Sequence, residues 1–189
     1  MVNDGSSDNT ADAIEKLSAK YGACVKAVHH PQNRGMGAAL RTGLEAASGD
    51  ILTWIPSDGQ FLLSDVMTAL PLLETHDLAI ATRTGVRQSW RIVITACFHF
   101  VVEVMFGFYP GDICGIFLIT ASDFAACKPE SDNVFFTVEL PIRANRAGLK
   151  MARFELALRN RRAGQSKVSN LRTYFHNLYE IGVVWWKSR

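Results

Sequence analysis

The sequence predicts an α/β fold of three layers, with a mainly parallel central sheet covered by helices on both faces. Short apolar runs alternate along the chain with helical stretches of about ten residues, the pattern of βαβ units whose strands are buried on both sides. The chain has 189 residues and 48% hydrophobic content, which suits one domain with a substantial core. No internal repeat or low-complexity linker interrupts it.

Met1-Val2 runs into Asn3-Asp4-Gly5-Ser6-Ser7-Asp8-Asn9-Thr10, a strand end breaking into a tight polar turn. It reads as the end of a core strand whose beginning is missing. Thr10 or Asn9 is placed to cap a helix over Ala11–Lys20. Val25–His29 is a short strand, and Gly37–Ala47 a helix ended by Ser48-Gly49. An apolar strand, Ile51–Ile55, precedes a helix over Ser64–Leu73 with Ser64 as its cap. Leu78–Thr82 and Ile116–Ile119 are further strands, Phe136–Ala147 is a helix closed by Gly148, and Met151–Leu158 alternates as a strand does. The run Ile92–Tyr109 raises the question of a membrane span, which needs about twenty mostly uncharged residues. His99 and Glu103 interrupt it at i,i+4 spacing and Pro110-Gly111-Asp112 ends it, so a buried or membrane-facing amphipathic helix is expected.

A formal charge of +2 gives no ground for a nucleic-acid partner. Arg153, Arg159, Arg161, Arg162, Lys167 and Arg172 nevertheless crowd the last third, which suits a local anionic partner. Cys24, Cys97, Cys114 and Cys127 are widely spaced in apolar surroundings, so buried free thiols of a reducing compartment are expected rather than disulfides or a zinc site. No signal peptide is read.

Three constellations carry chemistry. Asp4, at the carboxyl end of a strand in an α/β sheet, is placed where such folds bind ligands; alternatively Asp4-Gly5 is a solvated turn. Asn33-Arg34-Gly35-Met36-Gly37 feeds a helix. Its backbone N–H groups and helix dipole could hold phosphate, with Arg34 adding charge; equally, its small residues could serve close helix packing. The strand Ile51–Ile55 leads into Pro56-Ser57-Asp58-Gly59-Gln60, where Asp58 and Gln60 offer oxygen ligands suited to a hard divalent cation shared with a diphosphate.

Together these segments resemble the family 2 glycosyltransferases. Val2 to Thr10 is similar to the family's Asp-Asp-Gly-Ser-x-Asp-x-Thr segment, Asn33 to Gly43 to its Asn-x-Gly-x-x-x-Ala-x-x-x-Gly run, and Asp58-x-Gln60 to the metal motif of the polyprenyl-phosphate (dolichyl-phosphate-type) sugar synthases. The family usually has Asp-x-Asp there, and Pro56 takes the place of the first acid. Ala81-Thr82-Arg83 looks like Gly-x-Arg, and Asp112 to Phe117 resembles the Asp-x-x-x-Gly-Phe-Arg element, with Leu118 where the family often has a basic residue. Phe135 to Leu140 resembles the segment whose acid faces the acceptor, and Arg161-Arg162-Ala163-Gly164-Gln165-Ser166-Lys167 the loop that meets phosphate.

The resemblance implies the three-layer nucleotide-diphospho-sugar transferase fold of the A-type glycosyltransferases, here without its first strand and the Pro-x-x-Asn-Glu turn. Residues 1–168 would form that domain and residues 169–189 a C-terminal amphipathic helix. The implied activity is inverting transfer from a UDP- or GDP-sugar to a lipid-phosphate or saccharide acceptor, by a hexosyltransferase. The alternative is a truncated, non-catalytic binding domain. Asp4, Gly5, Arg34 and Gly35 would bind nucleotide, and Asp58 with Gln60 would hold Mg2+ or Mn2+. Arg161 and Lys167 would hold phosphates, and for a hydroxyl acceptor Asp112 or Glu139 would be the base.

The tail carries Leu171, Tyr174, Phe175, Leu178, Ile181, Trp185 and Trp186 on an apolar face, with cationic flanks. It suits a membrane surface, packing on the domain, or pairing with another subunit, so a homo-oligomer stays open. A cytoplasmic protein, peripheral on the inner face of the cytoplasmic membrane, is the expected setting.

Overall fold

The computed structural model describes residues 1–84, 89–109, 111, 113–157, 159 and 181–186. Its strands are β1 (Val2–Asp4), β2 (Val28–His30), β3 (Ile51–Leu52), β4 (Leu78–Thr84), β5 (Ile113–Thr120) and β6 (Met151–Ala157). The helices are α1 (Thr10–Tyr21), α2 (Met36–Ala46), α3 (Leu63–Met67), α4 (Ser89–Phe106), α5 (Ala121–Cys127) and α6 (Phe136–Arg146), with 3-10 turns at Gly22–Cys24 and Leu70–Glu74.

The strands form two sheets. β1 pairs in parallel with β2, and a second sheet has the order β3-β5-β4-β6. Within it β5 runs antiparallel to both β3 and β4, while β4 and β6 are parallel. β3, β4 and β6 therefore point the same way, and their carboxyl ends share one edge of the sheet. Among the described residues no ladder joins β1 to β3.

Apolar side chains cover both faces of the four-stranded sheet. Leu78, Ile80, Phe117 and Ile119 meet Phe124, Phe136 and Leu140 on one side. Ala79, Ala81, Ile116, Leu118 and Leu156 meet Phe61, Val66 and Ala69 on the other. Alternate residues of β4 and β5 thus serve opposite cores, as the two-residue period of a doubly buried strand requires. Each fully buried Leu or Phe contributes about 1.5–3 kcal/mol. A third cluster joins Val102 and Phe106 of α4 to Phe135, Val138 and Ile142, and adds Ile181 and Val184.

Several elements depart from the sequence expectation for identifiable reasons. β3 stops at Leu52; beyond it the Trp54 indole donates to the Gly115 carbonyl (2.8 Å), a side-chain tie where a longer ladder was expected. The helix expected over Ser64–Leu73 breaks into α3 and a 3-10 turn, because Pro71 cannot continue an α-helix donor ladder. Its N-cap is Leu62 rather than Ser64, with no side-chain cap bond. At α1 the N-cap is Asn9, but Asp8 does the capping, accepting from the Thr10 amide (3.1 Å) and hydroxyl (2.5 Å). α5 was not anticipated; its N-cap Thr120 accepts from the Asp123 amide at 3.1 Å.

Cys127 is buried as expected, and burial, reinforced by Asp123 and opposed by Arg143, pushes its thiol up to about 11. Cys24, by contrast, is exposed on the 3-10 turn Gly22–Cys24. Among the described residues no helix is long and apolar enough to cross a membrane.

Candidate functional site

The parallel register of β1 and β2 sets Asp4 beside His30. Asp4 Oδ1 lies 2.8 Å from His30 Nδ1 and accepts from the Arg34 amide (2.9 Å), while Oδ2 accepts from the Gly35 amide (3.0 Å). His30 Nε2 in turn lies 3.0 Å from the Thr42 hydroxyl on α2. Asp4 therefore fixes the glycine-rich turn instead of projecting into solvent. Burial opposes its charge, but the Arg34 amide, His30 and the Gly35 amide together outweigh it and hold the carboxyl below its ordinary value of 3.8.

A depressed carboxyl pKa gives stability that is complete above the ordinary value and is lost as pH falls through the lowered one. Asp4→Asn is therefore expected to lower unfolding free energy at pH 7 by on the order of 2 kcal/mol. Urea titrations from neutral pH downward should show the difference from wild type narrowing below pH 4. A pH-independent difference would contradict the assignment.

Gly5 is required by this turn. It has φ +66°, and a Cβ there would stand 2.4 Å from the backbone carbon of Gln32. The N-terminus of α2 is closed from the other side. The amides of Gly37 and Ala38 donate to the Asp132 carbonyl at 2.8 and 3.2 Å, and a Cβ on Gly37 would meet the Ser131 carbonyl at 2.2 Å. Of the two sequence readings of this run, close packing is what the geometry displays. Four of its amides, at 34, 35, 37 and 38, have partners inside the chain. Arg34 itself is exposed.

The second cluster lies at the common edge of β3, β4 and β6. Asp58 Oδ1 accepts from the Gln60 amide at 3.1 Å, making a tight turn. Gln60 exchanges two hydrogen bonds with Arg159, just past β6: its side chain donates to the Arg159 carbonyl (3.2 Å), and the Arg159 amide donates to the Gln60 carbonyl (3.1 Å). Arg159 also reaches Asp65 at 3.4 Å. The residues that begin the basic segment are thus tied to the candidate metal turn. Asp58 and Gln60 supply oxygen donors of the kind hard divalent cations take. Among the described residues no group of three or more His, Cys, Asp or Glu side chains gathers that could hold a metal ion, so a cation here would need ligand oxygens to complete its shell.

Glu139 is fully buried, and its carboxylate is turned into the protein. It accepts from the Glu130 amide (3.1 Å to each oxygen), the Ser131 amide (2.7 Å) and Arg143 Nε (2.6 Å). This differs from the acceptor-facing position the resemblance implied. Asp112, Arg161 and Lys167 lie outside the described residues. Sequence reasoning missed His30, Arg41, Asp132 and Arg143, and read Arg159 only as part of the basic run; the one local signal among the missed residues was Arg143, one helical turn after Glu139. Two cavities, of about 440 and 590 Å3, line neither Asp4 nor Asp58 nor Gln60.

The chain is similar to several known proteins. An undecaprenyl-phosphate 4-deoxy-4-formamido-L-arabinose transferase of Serratia proteamaculans is 31% identical over 91 residues, covering 48% of this chain and 28% of that protein. Glycosyltransferase AglD of Haloferax volcanii is 26% identical over 203 aligned positions, covering 99% of this chain and 31% of its own length. The chain thus spans about a third of these curated relatives. In fold it resembles glucosyl-3-phosphoglycerate synthase of Mycobacterium tuberculosis, solved with UDP, with a TM-score of 0.64 at 20% identity over 97% of this chain and 67% of that one. The same enzyme has been solved with Mn2+, UDP-glucose and phosphoglyceric acid. The family model described as Glycosyl transferase family 2 matches residues 1–105, the part that holds Asp4, the Arg34-Gly35 turn, Asp58 and Gln60, and the chain belongs to that family.

Proposed function

We propose that this chain forms the donor-binding and transfer core of an inverting glycosyltransferase that moves a sugar from a nucleotide diphosphate to a lipid phosphate at a membrane surface. The observation that carries the reading is the pair of hydrogen bonds between Gln60 and Arg159, which starts the basic segment at the candidate diphosphate edge. The names of relatives that act on undecaprenyl and dolichyl phosphate support the acceptor class, and neighbour structures with UDP and Mn2+ or Mg2+ support the donor and the ion.

In this reading Asp4 shapes the nucleotide turn and Arg34 supplies its charge. Asp58 and Gln60 hold a divalent cation, which when bound neutralises charge on the departing diphosphate. An acceptor phosphate oxygen forms the bond to the anomeric carbon while the sugar–diphosphate bond breaks, its electron pair leaving with the nucleotide. Such an acceptor is already anionic and needs no base, which agrees with Glu139 facing inward. Arg161 and Lys167 hold acceptor or leaving-group phosphate, so the residues act by positioning and charge compensation. We assign residues 1–168 to the transferase domain and residues 169–189 to the membrane-proximal helix, on the cytoplasmic face.

A second reading, a domain that binds nucleotide without turnover, is favoured by Pro56 at the first acidic position of the metal motif. Isothermal titration with UDP and GDP, each with and without Mn2+, together with sugar transfer to polyprenyl phosphate in vesicles, tests both readings. Metal-dependent binding with transfer supports the first, binding without transfer the second. Absence of binding to either nucleotide removes both.

Membrane contact has a separate test. Ile181 and Val184 fill the cluster around Phe106 and Phe135, whereas Trp186 is 75% exposed. Deleting the tail would uncover that cluster, so the cleaner variant is Trp186→Ser. It is expected to reduce co-sedimentation with anionic vesicles severalfold and leave the melting temperature near wild type. Unchanged sedimentation would place the membrane contact elsewhere.

A further inference from the structure

We propose that Glu139 and Arg41 are positioning residues for nucleotide binding, acting through the loop of residues 129–133. The inference rests on the reading that nucleotide lies at the turn held by Asp4. Glu139 carries a fully buried carboxylate, which is costly unless paired and hydrogen-bonded. Its partners are specific: Arg143 one turn later on α6, and the amides of Glu130 and Ser131 in the loop. The next residue, Asp132, presents its carbonyl to the amides of Gly37 and Ala38.

Arg41 grips the same loop from α2. It donates to the Glu130 carbonyl at 2.8 Å and to the Pro129 carbonyl at 3.5 Å, and it pairs with the Asp132 carboxylate. The contact is tight enough that a Cβ on Gly35 would stand 2.4 Å from the Asp132 carbonyl. One face of the Arg34-Gly35 turn is thus set by Asp4 and the other by a loop that Glu139 and Arg41 hold in place. Glu139 reaches the nucleotide turn through this loop, and its contacts leave it no part in proton removal from an acceptor.

Two variants enter the joint from opposite sides. Glu139→Gln keeps the shape but turns an amide donor toward two backbone N–H donors; Arg41→Ala removes the grip from a part-exposed side chain and is the variant that remains if Glu139→Gln fails to fold. In each, amide hydrogen exchange at Gly37 and Ala38 is expected to rise at least tenfold while β4 and β5 stay protected. Binding of UDP or GDP with Mn2+ should weaken at least fivefold, with donor KM rising more than kcat falls. A folded Glu139→Gln protein with wild-type exchange at Gly37 and Ala38 overturns the proposal. So does loss of turnover at saturating donor with nucleotide affinity intact, the signature of an acceptor base. Should the wild type bind neither nucleotide, the functional reading falls by itself, and the exchange at Gly37 and Ala38 still decides whether the joint exists.

Discussion

Turnover with a polyprenyl phosphate acceptor is expected to fall about a hundredfold or more when Arg161 and Lys167 are both replaced by Ala. Charge-assisted hydrogen bonds to phosphate contribute about 1.5–3 kcal/mol each, so loss of two of them corresponds to at least two powers of ten. The segment carrying both cations comes after β6, and Arg159 ties its beginning to Gln60. Nucleotide affinity should change much less than turnover, because the turn held by Asp4 does not include either cation. Steady-state rates with varied acceptor, beside nucleotide titrations, separate the two effects. Wild-type turnover in the double variant would reduce the segment to a solvated basic loop.

Asp58→Asn should weaken metal-dependent nucleotide binding by more than tenfold, about 1.4 kcal/mol or more. The magnitude comes from the thin donor set the proposed site would have: with Pro56 lacking a ligand, Asp58 would be the carboxylate of that turn on the ion. Asn retains an oxygen that can accept from the Gln60 amide, so the turn itself should survive the change. The difference should vanish when Mn2+ is omitted. Equal affinities for the two proteins across a Mn2+ titration would remove Asp58 from the ion.

Element types were legible in the sequence wherever period and punctuation agreed. β4 and β5 are apolar runs whose alternate residues face opposite cores, and α6 sends Phe136, Leu140 and Ala144 to one core at helical spacing. Local signals failed where a tertiary contact took over. Trp54 looked like the middle of a strand, but its indole is drawn to Gly115, 61 positions away. Pro71 was in plain view as the reason for the break after α3, and Thr120-x-x-Asp123 was a readable cap signature for the overlooked α5.

The candidate site divides in the same way. Asp4, Arg34, Asp58 and Gln60 announce themselves because each sits in a short segment with its own turn chemistry. Their partners do not. Nothing near Asp4 in sequence says that its oxygens will be taken by amides 30 and 31 residues later. Likewise Glu139 reads as a reactive acid on a helix until the fold returns the amides of Glu130 and Ser131 to it.

The interruption between β1 and β3 bears on how the molecule opens. In a continuous sheet, parting any inner strand breaks hydrogen bonds on both sides of it; among the described residues the β1–β2 pair is coupled to the rest through α2 and the loop before α6, not through a ladder. The β1–β2 pair is therefore expected to open locally at a free energy below that of global unfolding, which amide hydrogen exchange along β1 and β2 would report. A nucleotide diphosphate that touched both the Arg34 turn and the Asp58 turn would bind the closed arrangement alone and stabilise it in proportion to the logarithm of its concentration. In that case the ligand supplies the cooperativity that the backbone leaves out, and exchange along β1 and β2 would slow on saturation.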